Sequence, residues 1–117
     1  MAYSRVTPRA RQGTTGISVE QDITAGEGVW INPPDRVAAV TIAVHIPSGQ
    51  TASFTIETSC NLPEIIGEDG TGGYWDNVYG DNVTLTENTV VMIANAVTGI
   101  RVNCIAASDK LNVCFVG

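Results

Sequence analysis

A chain of 117 residues and 12.3 kDa is one domain's worth of material, and folding at this size buries roughly 65% of the unfolded surface, enough for a core without a disulfide or metal staple. Its 44% apolar and 15% charged residues exclude a disordered chain, and no apolar run reaches the ~20 residues of a membrane span. The net charge of −6 is segregated: Arg5, Arg9 and Arg11 give the first 19 residues +3, residues 20–117 carry −9, and no Lys or Arg occurs from Val37 to Ile100. An acidic body repels phosphate, which argues against nucleic acid as the main partner.

In chain order, residues 1–16 come first. They are polar, interrupted by Pro8, Gly13 and Gly16, and have no apolar stretch of the kind a secretory signal needs. The expectation is a flexible N-terminal arm on a soluble domain, residues 17–117, made in the cytosol, with no membrane partner. Short strands are predicted at Ile17–Glu20 and Gly28–Ile31. Val40, Ile42, Val44 and Ile46 then alternate with Thr41, Ala43 and His45. Pro47-Ser48-Gly49-Gln50 separates them from a second alternating run, Ala52, Phe54 and Ile56, and the pair is predicted to form a β-hairpin. Residues 60–82 make a long glycine-rich excursion. Further short strands are predicted at Val83–Thr86 and Thr89–Ala94. Ile100, Val102, Cys104 and Ala106 alternate again, and Leu111, Val113 and Phe115 close the chain after a hairpin turn at Ser108-Asp109-Lys110. No window of about 11 residues carries a capped helical stripe. The fold class is all-β: a β-sandwich or jelly roll of about eight short antiparallel strands. Parity within each run predicts a core of Val40, Ile42, Val44, Ile46, Phe54, Ile56, Val102, Val113 and Phe115.

Catalytic patterns are lacking. The one histidine, His45, lies on the polar side of its strand, and no serine stands in Gly-x-Ser-x-Gly. The glycines at 67, 70, 72 and 73 match neither the dinucleotide nor the phosphate-loop pattern, since Trp75 holds the last glycine's place and no Lys follows. Cys60, Cys104 and Cys114 have no zinc spacing and an odd count; they are expected as buried reduced thiols, with Cys104 and Cys114 on opposite faces. The reading is a protein that is not an enzyme and uses no cofactor. Glu68, Asp69, Asp76 and Asp81 supply carboxylates but not in EF-hand spacing, which favours a solvated acidic loop over a calcium site. Tyr74, Trp75 and Tyr79 offer a stacking platform for a sugar ring, against the plainer expectation that Trp75 folds back over the core's edge. Asn82-Val83-Thr84 matches a glycosylation acceptor but has no secretory context.

The polar arm, the short Val/Ile/Thr strands, the Thr-Gly-Ile-Arg-Val-Asn segment at 98–103, the Trp75 loop before it and the closing Leu-Asn-Val-Cys-Phe-Val-Gly at 111–117 resemble the small virion proteins of tailed bacteriophages, above all the capsid decoration, or cement, proteins. The resemblance is one of style across most of the chain and transfers no individual residue. It implies a compact sandwich, a homotrimer on the outer capsid surface, the major capsid protein as partner, and a role in bracing the shell. A carbohydrate-binding or adhesion module, or a tail or head-fibre subunit of a virion, stays open beside it. The arm is expected to carry the attachment through Tyr3, Arg5, Arg9 and Arg11, reaching outward to an acidic neighbour. The weakly polar outer face of Thr41, Ala43 and His45 is expected to suit a subunit interface.

Overall fold

The computed structural model describes residues 3–6, 9–10 (backbone only), 17–34, 37–94 and 97–117. Period-two alternation becomes strands almost throughout. In chain order they are β1 (Tyr3–Arg5), β2 (Arg9–Ala10), β3 (Ile17–Ile23), β4 (Gly28–Ile31), β5 (Val40–His45), β6 (Ala52–Ser59), β7 (Asp76–Asn77), β8 (Thr89–Ile93), β9 (Gly99–Ala107) and β10 (Leu111–Val116). One helical turn, α1 (Pro63–Ile66), interrupts them, started by a proline whose missing N–H costs nothing at a first helical position.

The strands form two five-stranded sheets, β1-β4-β9-β6-β7 and β2-β3-β10-β5-β8. Among the described residues every strand pairing is antiparallel except β1 with β4. The pairs β3–β10, β4–β9, β5–β8 and β6–β7 nest one inside the next. The chain is thus a single antiparallel ribbon folded over on itself, which is the jelly roll. Eight strands make that ribbon, and β1 and β2 extend one edge of each sheet.

The inner faces are apolar because alternate side chains of each strand point the same way. β5 and β10 alternate buried with half-buried residues for most of their length. All nine predicted core residues lie in one buried cluster, joined by Ile17, Ile23, Val29, Ile31, Ala52, Ile100, Cys104 and Leu111.

Two predicted hairpins are absent. β5 and β6 belong to different sheets, as do β9 and β10, so Ile46–Thr51 and Ser108–Lys110 are corners that carry the chain across the sandwich. Alternation is the same whether two strands pair side by side or face one another across a core, so pattern alone does not separate the cases. The two corners hold each other: Thr51 N donates to Ser108 Oγ and Ser108 N to Thr51 O, both at 2.9 Å. The predicted strand at Val83–Thr86 reduces to one bridge, Leu85 with Phe54.

The arm is corrected as well. Tyr3–Arg5 is a strand of the first sheet, and Arg9–Ala10 pairs with Ile17–Ser18 of the second. Tyr3 is 7% exposed and Val6 packs against the core. A short polar segment folds back here because the edge of β4 offers hydrogen bonds and Gly28 leaves room for a ring. Arg11, Pro8, Gly13 and Gly16 lie outside the described residues, as does the Arg9 side chain.

Phe54 is fully buried where β6 bulges between Ser53 and Phe54. Phe54→Ala is expected to lower the unfolding free energy by about 3–5 kcal/mol through the cavity it leaves, read as a shift of the urea midpoint at unchanged slope.

Candidate functional site

The outer face of the first sheet carries one continuous row. Arg5 stands opposite Trp30, Trp30 opposite Arg101, Arg101 opposite Glu57, and Glu57 opposite Asn77. The row crosses all five strands. Arg101 is its centre. Its Nε donates to Glu57 Oε1 at 2.8 Å and its Nη1 to the Gly70 carbonyl at 2.7 Å. The guanidinium lies 4.5 Å from the Tyr3 ring centre and 4.2 Å from that of Trp75, which makes two cation–π contacts.

The excursion after β6 closes over this row. Trp30 is fully buried although it points away from the main core, because Tyr3 and Ile66 cover it and Trp75 packs alongside. Main-chain contacts fix the cover: Tyr3 N donates to Asp69 O at 2.8 Å, Trp30 Nε1 to Glu68 O at 3.0 Å, and Trp75 Nε1 to Gly72 O at 2.9 Å. Two glycines make the approach possible. A Cβ on Gly28 would lie 2.0 Å from the Tyr3 ring, and one on Gly99 would lie 2.8 Å from Trp75.

Beyond Trp75 the loop rises and leaves a recess of about 410 Å³ against β6 and β9, lined by Thr55, Glu57, Trp75, Asn77, Asp81, Asn82 and Asn103. Asn77 is already spent: its Nδ2 donates to Val83 O, and its Oδ1 accepts from Tyr79 N, both at 2.9 Å. Asn82 holds a left-handed backbone, φ 64°.

Among the described residues, no segment covers the outer face of the second sheet. Its rows run Glu20–Cys114–Ala43–Val90 and Ser18–Val116–Thr41–Met92. Charge sits at the β3 end, and at the β8 end Val90 and Met92 are 73% and 62% exposed. Among the described residues β8 pairs with β5 alone, so its other edge is free.

The sequence-predicted residues fall differently. Tyr3 and Arg5 have partners within the molecule: Tyr3 is buried, and Arg5, though exposed, lies 5.1 Å over Trp30 and 3.3 Å from Glu68. Of the loop aromatics only Trp75 lines the recess; Tyr74 and Tyr79 are exposed elsewhere on the loop. Trp75 covers the outer face of a sheet, where the plainer expectation had it folding over the core's edge. Cys104 is buried and Cys114 half-buried, but Cys60 is exposed, against the expectation of three buried thiols. Burial pushes both the Cys104 and Cys114 thiols up, and the Glu20 carboxylate that accepts from Cys114 Sγ adds to the second shift. Among the described residues, no three of His, Cys, Asp and Glu come together as a metal site. Asp69 instead accepts from Thr71 N and Oγ1 at 3.2 and 2.8 Å, which lowers its carboxyl. Sequence reasoning missed Asn103, Asn82 and the central role of Arg101. The one available signal was that Arg101 is the sole cation between Val37 and Asp109.

Comparison with protein-family models, curated proteins and solved structures finds no match.

Arg101→Ala is expected to cost about 2–4 kcal/mol, because a charge-assisted bond is lost and Glu57 is left half-buried without its partner. Arg101→Lys does not restore it, since an ammonium cannot hold the carboxylate, the carbonyl and two ring faces at once. Denaturant unfolding gives the cost, and a red shift of tryptophan emission reports the uncovering of Trp30.

Burial also raises the Tyr3 phenol above its ordinary 10.0, Arg101 partly opposing and Glu57 adding to the shift. The unfolded chain therefore loses this proton at lower pH than the folded one. Its contribution to stability is complete below pH 10.0 and is lost as pH rises through the folded value. Melting temperatures measured from about pH 8 to about pH 11 should fall more steeply for the native chain than for Tyr3→Phe.

Proposed function

We propose that the chain is a non-enzymatic structural protein of a virion, a capsid decoration protein that assembles as a homotrimer and binds the major capsid protein on the outer capsid surface after synthesis in the host cytoplasm. The observation that carries the reading is the uncharged, apolar face around β8. Among the described residues, Val90 and Met92 are the most exposed aliphatic side chains on the sandwich strands, and they lie on a strand whose outer edge is unpaired and whose sequence carries no charge. Native edges of this kind are normally blunted by charge, proline or a cover. One left bare is suited to a partner.

Charge selects the occupant. Two copies of a chain at −6 repel one another over most of their surfaces. The opposite edge of the first sheet, β7, carries Asp76, and β3 on the second carries Glu20 and Asp22. The strip of Thr41, Ala43, Val90 and Met92 has no charge, so copies can meet there without that penalty. Closed symmetry then repeats each weak contact with a capsid several times over. The double-sheet jelly roll is an architecture found in viral capsid and lectin domains, which supports the reading by analogy.

Sedimentation of the native chain should give three times the 12.3 kDa of one copy, and Val90→Asp combined with Met92→Glu should give a monomer of unchanged fold that no longer pellets with capsids. A native chain that sediments as a monomer overturns the assembly. A native trimer that leaves every candidate capsid bare overturns the decoration role.

A further inference from the structure

The recess on the first sheet is separate from the β8 face and has a feature that packing does not explain. Asn103 lies on β9 between Gly28 of β4 and Thr55 of β6. Its Oδ1 is the one buried side-chain nitrogen or oxygen among the described residues without a hydrogen-bond partner. Buried acceptors are paired in native structures because an unmade bond costs stability, so an orphan on a residue that lines a recess marks a place where a donor from outside belongs, once rotation of the amide brings the oxygen to the recess. Asn82, in a left-handed turn conformation at φ 64°, lines the same recess.

The chemistry of the lining selects the ligand class. Glu57, Asp81, Asn82, Asn103 and Thr55 present mostly acceptors, with amide and hydroxyl donors interleaved, and Trp75 supplies an aromatic wall. Glu57 spends Oε1 on Arg101 and keeps its second oxygen. Anions are disfavoured, because the nearest cation, Arg101, is committed to Glu57, the Gly70 carbonyl and two rings. A metal ion is disfavoured by size: calcium needs six to eight oxygens converging at about 2.3–2.6 Å, whereas these side chains surround about 410 Å³. That volume lies in the range of small-molecule sites, about 300–1,000 Å³. A compact neutral molecule with many hydroxyl donors and an apolar C–H face meets all three conditions. We propose that this recess binds a neutral saccharide, whose hydroxyls donate to Glu57, Asp81 and, on rotation of its amide, Asn103 Oδ1, while its ring lies against Trp75.

The experiment is a ¹H–¹⁵N titration of the full chain with glucose, galactose, mannose, N-acetylglucosamine and lactose. Binding moves the side-chain amides of Asn82 and Asn103 and the indole signal of Trp75, saturably and at millimolar sugar. The Trp30 indole, held by Glu68 O, stays still as an internal control. Asn103→Val should weaken binding at least tenfold while leaving the melting temperature equal or higher, because it removes an unpaired acceptor; a purely structural asparagine would lower it. Asp81→Asn, at an exposed loop position, should weaken binding at least threefold without touching the strands. The proposal is overturned if none of the sugars moves these signals up to about 100 mM, if Asn103→Val binds as the native chain does, or if calcium chloride saturates the same amides while every sugar leaves them unmoved. Because the β8 face lies on the other sheet, trimer formation and sugar binding succeed or fail separately.

Discussion

One half-buried guanidinium stands at the centre of the contacts that hold the excursion to the sandwich. Residues 60–82 carry five carboxylates and no cation, and a segment of that composition does not bury itself. Arg101 reverses the balance. It is 13% exposed at its side chain, bonded to a carboxylate and a carbonyl, and stacked between two rings. A charge-assisted bond is worth about 1.5–3 kcal/mol and a partly desolvated cation–π contact about 1–2 kcal/mol. Those magnitudes exceed what a surface ion pair such as Arg5–Glu68 supplies, about 0–1 kcal/mol. Tyr3 and Trp75 flank Arg101 and pack with Trp30 and Ile66, so the cover over the first sheet is a second small core with a charge set into it.

That cover makes the sandwich asymmetric. Each sheet of a jelly roll has an outer face that must meet water, a partner or the chain itself. On the first sheet the chain meets itself over the Arg101 row, leaving the recess and, toward the end of β9, an exposed Ile105. On the second, Thr41, Ala43, Val90 and Met92 have no segment above them among the described residues, while Glu20 and Asp22 solvate the far end. An apolar strip bounded by charge is the arrangement expected of an association surface. The one-sidedness follows from the position of a single long loop, inserted between β6 and β7 and therefore able to reach only the sheet to which both belong.

Inside and outside were legible in the sequence; neighbours were not. Parity places Val40, Ile42, Val44, Ile46, Phe54, Ile56, Val102, Val113 and Phe115 in the core, and all are there, because burial depends only on which way a side chain points. Pairing depends on the path of the backbone between strands. Ile46–Thr51 and Ser108–Lys110 hold turn residues that serve a hairpin and a corner equally well, and only the long-range nesting of β3 with β10 and β5 with β8 decides between them. The N-terminal segment misled for a different reason. Its charge and prolines suit a free arm, yet the body lacks cations from Val37 to Ile100 and has a glycine at position 28, so Arg5 and Tyr3 find partners at home. The recess was silent altogether: Asn82 and Asn103 are far apart in sequence, and nothing in either neighbourhood shows that the fold leaves an amide oxygen unpaired.

The same residues serve the scaffold and the recess, which ties the stability of one to the shape of the other. Glu57 faces Arg101 on one side and the recess on the other, and Trp75 packs against the guanidinium while walling the cavity. Arg101 thereby cancels the charge of Glu57 without entering the recess, leaving its free oxygen an acceptor in a less repulsive field. A wall fixed by a cation, an indole hydrogen bond to Gly72 and a glycine beneath it loses little freedom when a ligand arrives, which is the condition for binding a small polar molecule with few contacts. Asn103 stands within this rigid frame with its oxygen unpaired. On the middle strand of a sheet, between Gly28 and Thr55, its backbone is held, so rotation of the amide alone decides whether that oxygen meets the recess.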